Sequence, residues 1–465
     1  MKFYNTLNRQ IEEFKSLKNG QVKMYTCGPT VYHYAHIGNL RTYIMEDILQ
    51  KALEYIGYNV NRVMNITDVG HLASDADEGE DKMVKGAKRE NKSVLEIADY
   101  YTEKFKGDCD KLNIKWPSTV VKATSMIDDY IEFISKLIEK DYAYITGGNV
   151  YFDTSKLDNY YQLTNHSEDT LLEAVRKDVD IDQNKRNKTD FVLWFTKSKF
   201  DDQELKWESP WGLGYPGWHI ECSCISLKYL GEYLDIHCGG VDNIFPHHTN
   251  EIAQTESYIG HKWCNYWFHP EHLNTDNGKM SKSKGEFLTL SLLESKGYSP
   301  MVYRLFCLQS HYQKQLIFSY DNMDAAQKTY DKLKNRIKSI NKDNSTLQND
   351  LIKDYQDKFK DCLENNLNTA NALTILYEVL KSDLNNNSKR YLINDFDQVL
   401  SLELLNDSII DEELKAYILE KINTRNKAKQ NKDYDLADKI RDELYNKGIV
   451  IKDTREGTTF DIIDN

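Results

Sequence analysis

A chain of 465 residues, 40% of them apolar, is long enough for several packed cores, and 29% charged residues supply a normal polar surface. Its net charge of −13 excludes a protein coated in positive charge for nucleic acid, though a local basic face is still allowed. No stretch is apolar enough to span a bilayer and no basic start precedes an apolar run, so a cytoplasmic protein with no membrane partner is expected.

In chain order, Val22–Cys27 reads as a strand ending in the turn pair Gly28-Pro29. A helix follows Gly38, with Leu40, Ile44, Ile48, Ala52 and Ile56 recurring every four residues and Gly57 as its stop. Val60–Ile66 is the next strand. Strand, helix and strand with short links make a βαβ unit and hence a parallel sheet, whose ligands sit at the carboxyl ends of the strands, near Cys27 and Thr67. From about Trp116 to Phe200 the pattern changes: Ser125 and Asp128 read as a capping box opening a helix through Ile131, Ile134 and Ile138. A hairpin turning at Gly147-Gly148 joins Ala143–Ile145 to Val150–Phe152. The α/β pattern resumes near Trp218, with Tyr233–His237 as a strand. Pro246 suits a helix entry, which would put His247 and Glu251 on one helical face. Beyond Tyr320 helices dominate, with faces at Met323, Ala326, Tyr330, Leu333 and Ile337, at Leu373, Leu376, Val379 and Leu380, and at Leu414, Tyr417, Ile418 and Ile422. Residues 341–350 read as a loop, and a helix from Lys432 to Tyr445 precedes a strand, Ile449–Ile451.

The expected fold class is therefore α/β: a Rossmann-like parallel-sheet catalytic domain with an α/β insertion, then an α-helical bundle and a small C-terminal mixed domain. The boundaries are 1–115 and 201–265 for the two halves of the catalytic domain, 116–200 for the insertion and 266–319 for a linking region. Residues 320–407 form the helical domain and 408–465 the last one.

The eight cysteines are dispersed, which favours metal ligation or burial over a disulfide framework. His33, His36, Gly38 and Asn39 lie between the first strand and helix, where glycine admits close approach and a helix N-terminus attracts phosphate. On its own this triplet also fits a surface turn. Lys279 and Lys282, in the run 279–283 after Asn277-Gly278, suit a loop closing over a triphosphate; a solvated basic loop has the same look. Cys222, His247 and Glu251 carry metal-ligand chemistry, and a lone His/Glu pair is equally a structural contact.

Together, residues 36–39 and 279–283 resemble the HIGH and KMSKS sequences of class I aminoacyl-tRNA synthetases, with Asn39 standing where the first motif has its last histidine. The segments around Cys27, Cys222 and His247–Glu251 resemble the cysteinyl-tRNA synthetase family, end to end. That resemblance implies one zinc per subunit on Cys27, Cys222, His247 and Glu251; catalytic roles for His33, His36, Lys279 and Lys282; and ATP contacts from His36, Gly38, Asn39, Gly239, Gly240, Asp242, Lys279 and Lys282. It also implies substrate contacts from Thr67, Trp218, His237 and Asp242, with Trp218 and His237 equally readable as packed residues. Cys224, Cys238 and His248 are left as bystanders. The partners implied are tRNA(Cys), L-cysteine and ATP with Mg2+, and a monomer is expected. In the C-terminal helices Arg425, Lys427, Lys429, Lys432, Lys439 and Arg441 form a candidate phosphate-facing patch. Two other readings remain: a ligase joining cysteine to an amino sugar, which the long helical tail disfavours, and an inactive tRNA-binding paralogue, which the complete ligand set disfavours.

Overall fold

Gln21–Thr26 (β1) buries its last three residues and leads through the 27–36 loop into Ile37–Tyr55 (α1). This computed structural model describes all residues except 70–71, 75–77, 91, 165–182, 198–202, 276–277, 280–286, 406–411, 432, 446, 448, 455–456 and 463–465. The expected four-residue spacing places Leu40, Ile44, Ile48 and Ala52 on the buried face of α1. Asn59–Ile66 (β2) then pairs parallel with β1, Val22 opposite Val60, and Thr119–Lys122 (β3) pairs parallel with β2.

Ser125 does not cap the next helix. Its hydroxyl donates to the Lys122 carbonyl (2.6 Å) within a short 3-10 turn, Ala123–Met126, and Ile127–Glu139 (α2) starts without a side-chain cap. The chain leaving β3 offers a carbonyl that the hydroxyl reaches first; Asp128 and Asp129 instead favour the positive helix end. Ala143–Thr146 (β4) and Asn149–Phe152 (β5) form the expected hairpin, with Gly147 and Gly148 both at positive φ as a two-residue turn of this kind requires. Phe191–Phe195 (β6) and the pair Tyr215–Pro216 complete this antiparallel sheet.

His219–Leu230 (α3), Leu234–Cys238 (β7), Thr249–Ile259 (α4) and Cys264–Phe268 (β8) complete the parallel sheet, whose order is β8-β7-β1-β2-β3. Strand order reverses between β1 and β7, so the crevice at their carboxyl ends is where such a sheet binds ligands. One core runs from β1 into the insertion, joining Tyr25, Val63, Tyr130, Phe133, Phe152 and Trp267.

Pro300–Leu308 (α5) precedes four helices: Tyr320–Lys338 (α6), Asn349–Glu364 (α7), Thr369–Lys381 (α8) and Asn386–Leu400 (α9). Asn349 and Asp350, expected in the loop, open α7 instead. The tail of α1 is tied to this bundle. Lys51 Nζ bonds Asp47 (2.8 Å) and Ser401 Oγ (2.9 Å), and the Tyr55 hydroxyl donates to Asp395 (2.6 Å). Buried Arg304 spans Asp47 (2.7 Å), the Leu400 carbonyl (2.7 Å) and the Leu112 carbonyl (2.8 Å).

These elements form one compact unit, Met1–Leu404, and Leu405–Asn465 forms a second. The second unit packs Ile418, Ile422, Ile440 and Leu444 of two helices, Glu412–Gln430 (α10) and Tyr434–Tyr445 (α11), against Ile449 and Ile451. Asp433 accepts from the Leu436 N–H (3.1 Å), so α11 starts two residues later than expected. Ile449–Thr454 (β9) continues past the expected strand and pairs antiparallel with Gly457–Ile462 (β10). Arg425 is buried, which removes it from the phosphate-facing patch; Lys427, Lys439 and Arg441 are exposed, and Lys432 lies outside the described residues.

Candidate active site

Cys27 is the first residue beyond β1, and its N–H donates to the Cys238 carbonyl at the end of β7 (3.1 Å). Next to it, the Gly28 N–H donates to Asn65 Oδ1 (2.7 Å), and any Cβ at Gly28 would lie 1.6 Å from the Asn65 carbonyl oxygen. The loop is laced to β2 by Val31 N–H to Thr67 O (3.2 Å) and Thr67 N–H to Pro29 O (3.1 Å). Backbone contacts this close leave the Cys27 thiol little freedom.

Cys222 projects from α3, His247 from the π-type turn Ile244–His248, and Glu251 from the first turn of α4. Pro246 does not start the helix: Phe245 is extended there (φ −137°, ψ 131°), and α4 begins at Thr249. His247 and Glu251 nevertheless meet, Nε2 to Oε1 at 2.9 Å. One ligand atom from each of Cys27, Cys222, His247 and Glu251 lies within 4.8 Å of all the others, and all four residues are buried. The two sulfurs are 3.6 Å apart and Cys222 Sγ is 3.5 Å from His247 Nε2.

A second grouping shares Cys27 and Glu251 and adds His237 and His248. His248, set aside from sequence as a bystander, brings Nε2 to 3.2 Å from Cys27 Sγ. His237 Nε2 meets Glu251 Oε2 at 2.8 Å, and its ring stacks on Trp267 at 4.5 Å. Behind them run contacts that sequence reasoning missed: His248 Nδ1 to His269 Nε2 (2.7 Å), His269 Nδ1 to Thr6 Oγ1 (2.7 Å), and His219 Nδ1 to His247 Nδ1 (2.9 Å).

Proton distribution follows from this crowding. Burial pushes the Cys222 thiol up, but its hydrogen bond with Cys27 and the charge of His247 prevail and bring it down to about 6. Cys27, buried and beside Cys222, is held well above the usual thiol range. Burial opposes ionisation of Glu251 and His247 too. His237 and His247 still draw Glu251 down to about 2, and Glu251 raises His247 to about 10. Two thiols, an imidazole and a carboxylate converging in a dry volume are the donor set of a tetrahedral soft-metal site. Their chemistry fits zinc.

The other expected residues surround this cluster or the start of α1. Trp218 is half-buried and stacks on His247 (4.0 Å, 20°). The Thr67 hydroxyl donates to Glu221 (2.5 Å), a carboxyl that burial drives well above its normal range. Asp242 lies 3.4 Å from His272 Nδ1, Gly239 sits against the His248 ring, and the Gly240 N–H donates to Asn243 (3.1 Å). His36 caps α1: its Nδ1 accepts from the Asn39 N–H (3.2 Å). An acceptor Nδ1 fixes the neutral ring with its proton on Nε2. Gly38 is half-buried and the Asn39 side chain is exposed at the same helix start. His33 packs edge-on to Phe287 (4.4 Å) and stacks on Tyr101 (5.9 Å). Lys279 lies in a short strand opposite Asn274, whereas Lys282 falls outside the described residues.

Residues 13–328 match the model of the tRNA synthetases class I (C) catalytic domain. Over 99% of both chains the sequence is 44% identical to the cysteine–tRNA ligase of Treponema denticola. The chain belongs to the cysteine–tRNA ligase family. The corresponding Borreliella burgdorferi enzyme is 45% identical over 98% of both chains, and cysteine–tRNA ligase 1 of Burkholderia lata 41% over 98% of this chain and 95% of that one. Among solved structures, Mycobacterium tuberculosis methionyl-tRNA synthetase in complex with methionyl-adenylate superposes with a TM-score of 0.55 at 12% identity, covering 82% of this chain and 88% of that one, which shows the shared fold. As a family member the chain is an aminoacyl-tRNA ligase whose substrates are an amino acid, ATP and tRNA. Its buried Cys/His/Glu cluster suits a metal. No helix among the described residues is long and apolar enough to cross a membrane.

Proposed function

We propose that this chain activates L-cysteine with Mg2+-ATP to cysteinyl-adenylate and passes the cysteinyl group to the 3′-terminal adenosine of tRNA(Cys). Cys27, Cys222, His247 and Glu251 would hold one zinc ion. The observation that carries the reading is the convergence of these four ligand atoms within 4.8 Å at the β1/β7 crevice. When bound, zinc supplies a soft Lewis-acid position that takes a thiolate in preference to a serine hydroxyl. Selection of this kind is needed, because an apolar pocket separates such near-isosteres by only about a hundredfold.

The remaining chemistry belongs to the chain's own groups. His36 presents Nε2–H at the start of α1, where helix N–H groups and dipole favour the α-phosphate; His33 packs on the same ring, Phe287, as His36. Gly38 and Asn39 at the same end, with Gly239, Gly240 and Asp242 after β7, would contact ATP, and Lys279 and Lys282 would neutralise its phosphates. Thr67, Trp218, His237 and Asp242 would shape the amino-acid pocket, Thr67 through Glu221. Adenylate formation needs no covalent enzyme intermediate, since alignment of carboxylate and α-phosphate with charge stabilisation suffices. The second unit, with its exposed Lys427, Lys439 and Arg441, would bind the anticodon region of a monomeric cytoplasmic enzyme.

Metal content measured alongside cysteine- and serine-dependent ATP–pyrophosphate exchange tests this reading. One zinc per chain and exchange with cysteine alone are expected; exchange that ignores the amino acid would overturn it. The Cys27–His237–His248–Glu251 grouping is the second candidate metal site. The set with two sulfurs is preferred for zinc, and stoichiometric metal in Cys222→Ser would favour the other.

A further inference from the structure

Residues 82–92 hold five basic residues and one acid, in a chain whose net charge is −13. The helix Lys82–Glu90 in this stretch is clamped onto the loop that carries His33 and His36. A Cβ at Gly86 would lie 2.9 Å from the Tyr32 carbonyl, and Arg89 donates to that carbonyl (3.1 Å) and to the Tyr101 hydroxyl (3.2 Å). On the following helix, Val94–Lys111, half-buried Tyr100 has Lys92 Nζ 4.5 Å and Lys104 Nζ 5.2 Å from its ring centre.

From Tyr100 a run of rings leads to the nucleotide end of α1. The Tyr100 and Tyr34 hydroxyls are 3.1 Å apart, Tyr34 packs edge-on to Tyr101 (5.2 Å), and Tyr101 stacks parallel to His33 (5.9 Å, 9°). Of the nearby acids, Glu96 is engaged with the Ser93 cap and Asp99 with Lys122, whereas Glu90 accepts from Tyr101 and pairs with Arg89 of this same face (3.0 Å), so the cations at the Tyr100 ring are Lys92 and Lys104.

We propose that the face bearing Arg89, Lys92, Tyr100 and Lys104 receives the unpaired 3′ end of tRNA on its way to the adenylate. Aromatic rings beside exposed cations are the chemistry of single-strand recognition, in which bases stack while ammonium groups meet phosphates. A duplex keeps its bases stacked on one another and has no use for the ring. A base sliding onto Tyr100 displaces one ammonium group from the ring face, which then reaches the neighbouring phosphate. The inference rests on the tRNA-charging function proposed above and adds the route by which the acceptor end enters.

Full-length Tyr100→Leu and a Lys92→Ala/Lys104→Ala double variant test it. Three measurements are compared with wild type: cysteine-dependent pyrophosphate exchange, the KM and kcat for tRNA, and binding to intact tRNA and to tRNA trimmed back to its last base pair. Exchange is expected to stay within about twofold while the KM for tRNA rises roughly 5- to 50-fold, the loss of one base stack. The double lysine variant is expected to bind intact tRNA with a salt dependence shallower by about one to two units. Trimmed tRNA is expected to bind wild type and variants alike. An unchanged KM, an equal deficit on trimmed tRNA, or a parallel loss of exchange would each overturn the proposal. Absence of cysteine-dependent exchange in wild type would instead reject the underlying function, and the tRNA-binding comparison would still decide the role of this face.

Discussion

Gly28→Ala adds one methyl group at the point where the loop after β1 crosses the end of β2. Its Cβ would lie 1.6 Å from the Asn65 carbonyl oxygen and 2.7 Å from the carbonyl carbon. Ordinary contact is about 3.5 Å, so one backbone must retreat by roughly 1.5–2 Å. Both are pinned: Gly28 by its 2.7 Å bond to Asn65 Oδ1, Cys27 by the Cys238 carbonyl, and β2 within the sheet. The cheaper movement is of the loop, which carries the Cys27 sulfur with it. Metal–sulfur bonds tolerate about 0.2 Å, so a shift of this size is expected to weaken zinc binding at least ~100-fold. Cysteine-dependent exchange should fall by ~10²-fold, the usual consequence of an ångström of misplacement. Gly107→Ala is the matched control. Its Cβ meets nothing within 4 Å on a half-buried helix turn, so it should leave metal and exchange untouched. Metal analysis after gel filtration and exchange assays on both variants decide the matter. Stoichiometric zinc and exchange within threefold of wild type in Gly28→Ala would refute the reasoning.

Other substitutions probe separate parts of the molecule. Cys222→Ser should lose bound zinc and the preference for cysteine over serine together; keeping both would remove Cys222 from the metal site. Glu46, buried beside Arg62 (3.2 Å), is pushed by burial from its ordinary 4.5 to about 8, a rise that Arg62 offsets only in part. The folded protein thus holds this proton more tightly than the unfolded chain. Its contribution is full below about pH 4.5 and is lost as pH rises through about 8. Glu46→Gln should flatten the fall of Tm between about pH 5 and 8, and an unchanged slope would count against it. Deleting residues 405–465 removes one compact unit and should preserve pyrophosphate exchange while abolishing tRNA charging, whereas equal losses in a folded truncation would argue against anticodon recognition there. A cut at Tyr320 is a poorer test, because it strips α1 of its contacts with Asp395 and Ser401.

The sequence carried the local periodicities well. The four-residue rhythm of Leu40, Ile44, Ile48 and Ala52 is the signal that α1 obeys, and the Gly147-Gly148 pair specified its hairpin because few other residues accept two successive positive φ angles. Where neighbouring groups compete, local reading failed. Ser125 chose a free carbonyl over a helix cap, and Pro246 lost its helix to the extended Phe245. β10 escaped notice because Thr458, Thr459 and Asp461 break its apolar pattern and, among the described residues, its one strand partner is β9. Cys27 and Cys222, 195 positions apart, were linked from sequence only through family resemblance; no spacing rule brings them to 3.6 Å. The contact of His269 with His248 has the same origin: 21 positions separate them, and the end of β8 brings them together.

On the proposed reading, helix α1 would meet the nucleotide at one end, and its other end is tied to the helical bundle. Its 19 residues make a rod about 28 Å long. Tilting such a rod by about 5° about its anchored tail would swing the capping imidazole at its head by roughly 2.5 Å, more than the alignment of a reacting phosphate tolerates. On that reading Lys51, Tyr55 and Arg304 would be the fulcrum of a lever, and substitutions there should register as changes in catalytic rate far from any substrate.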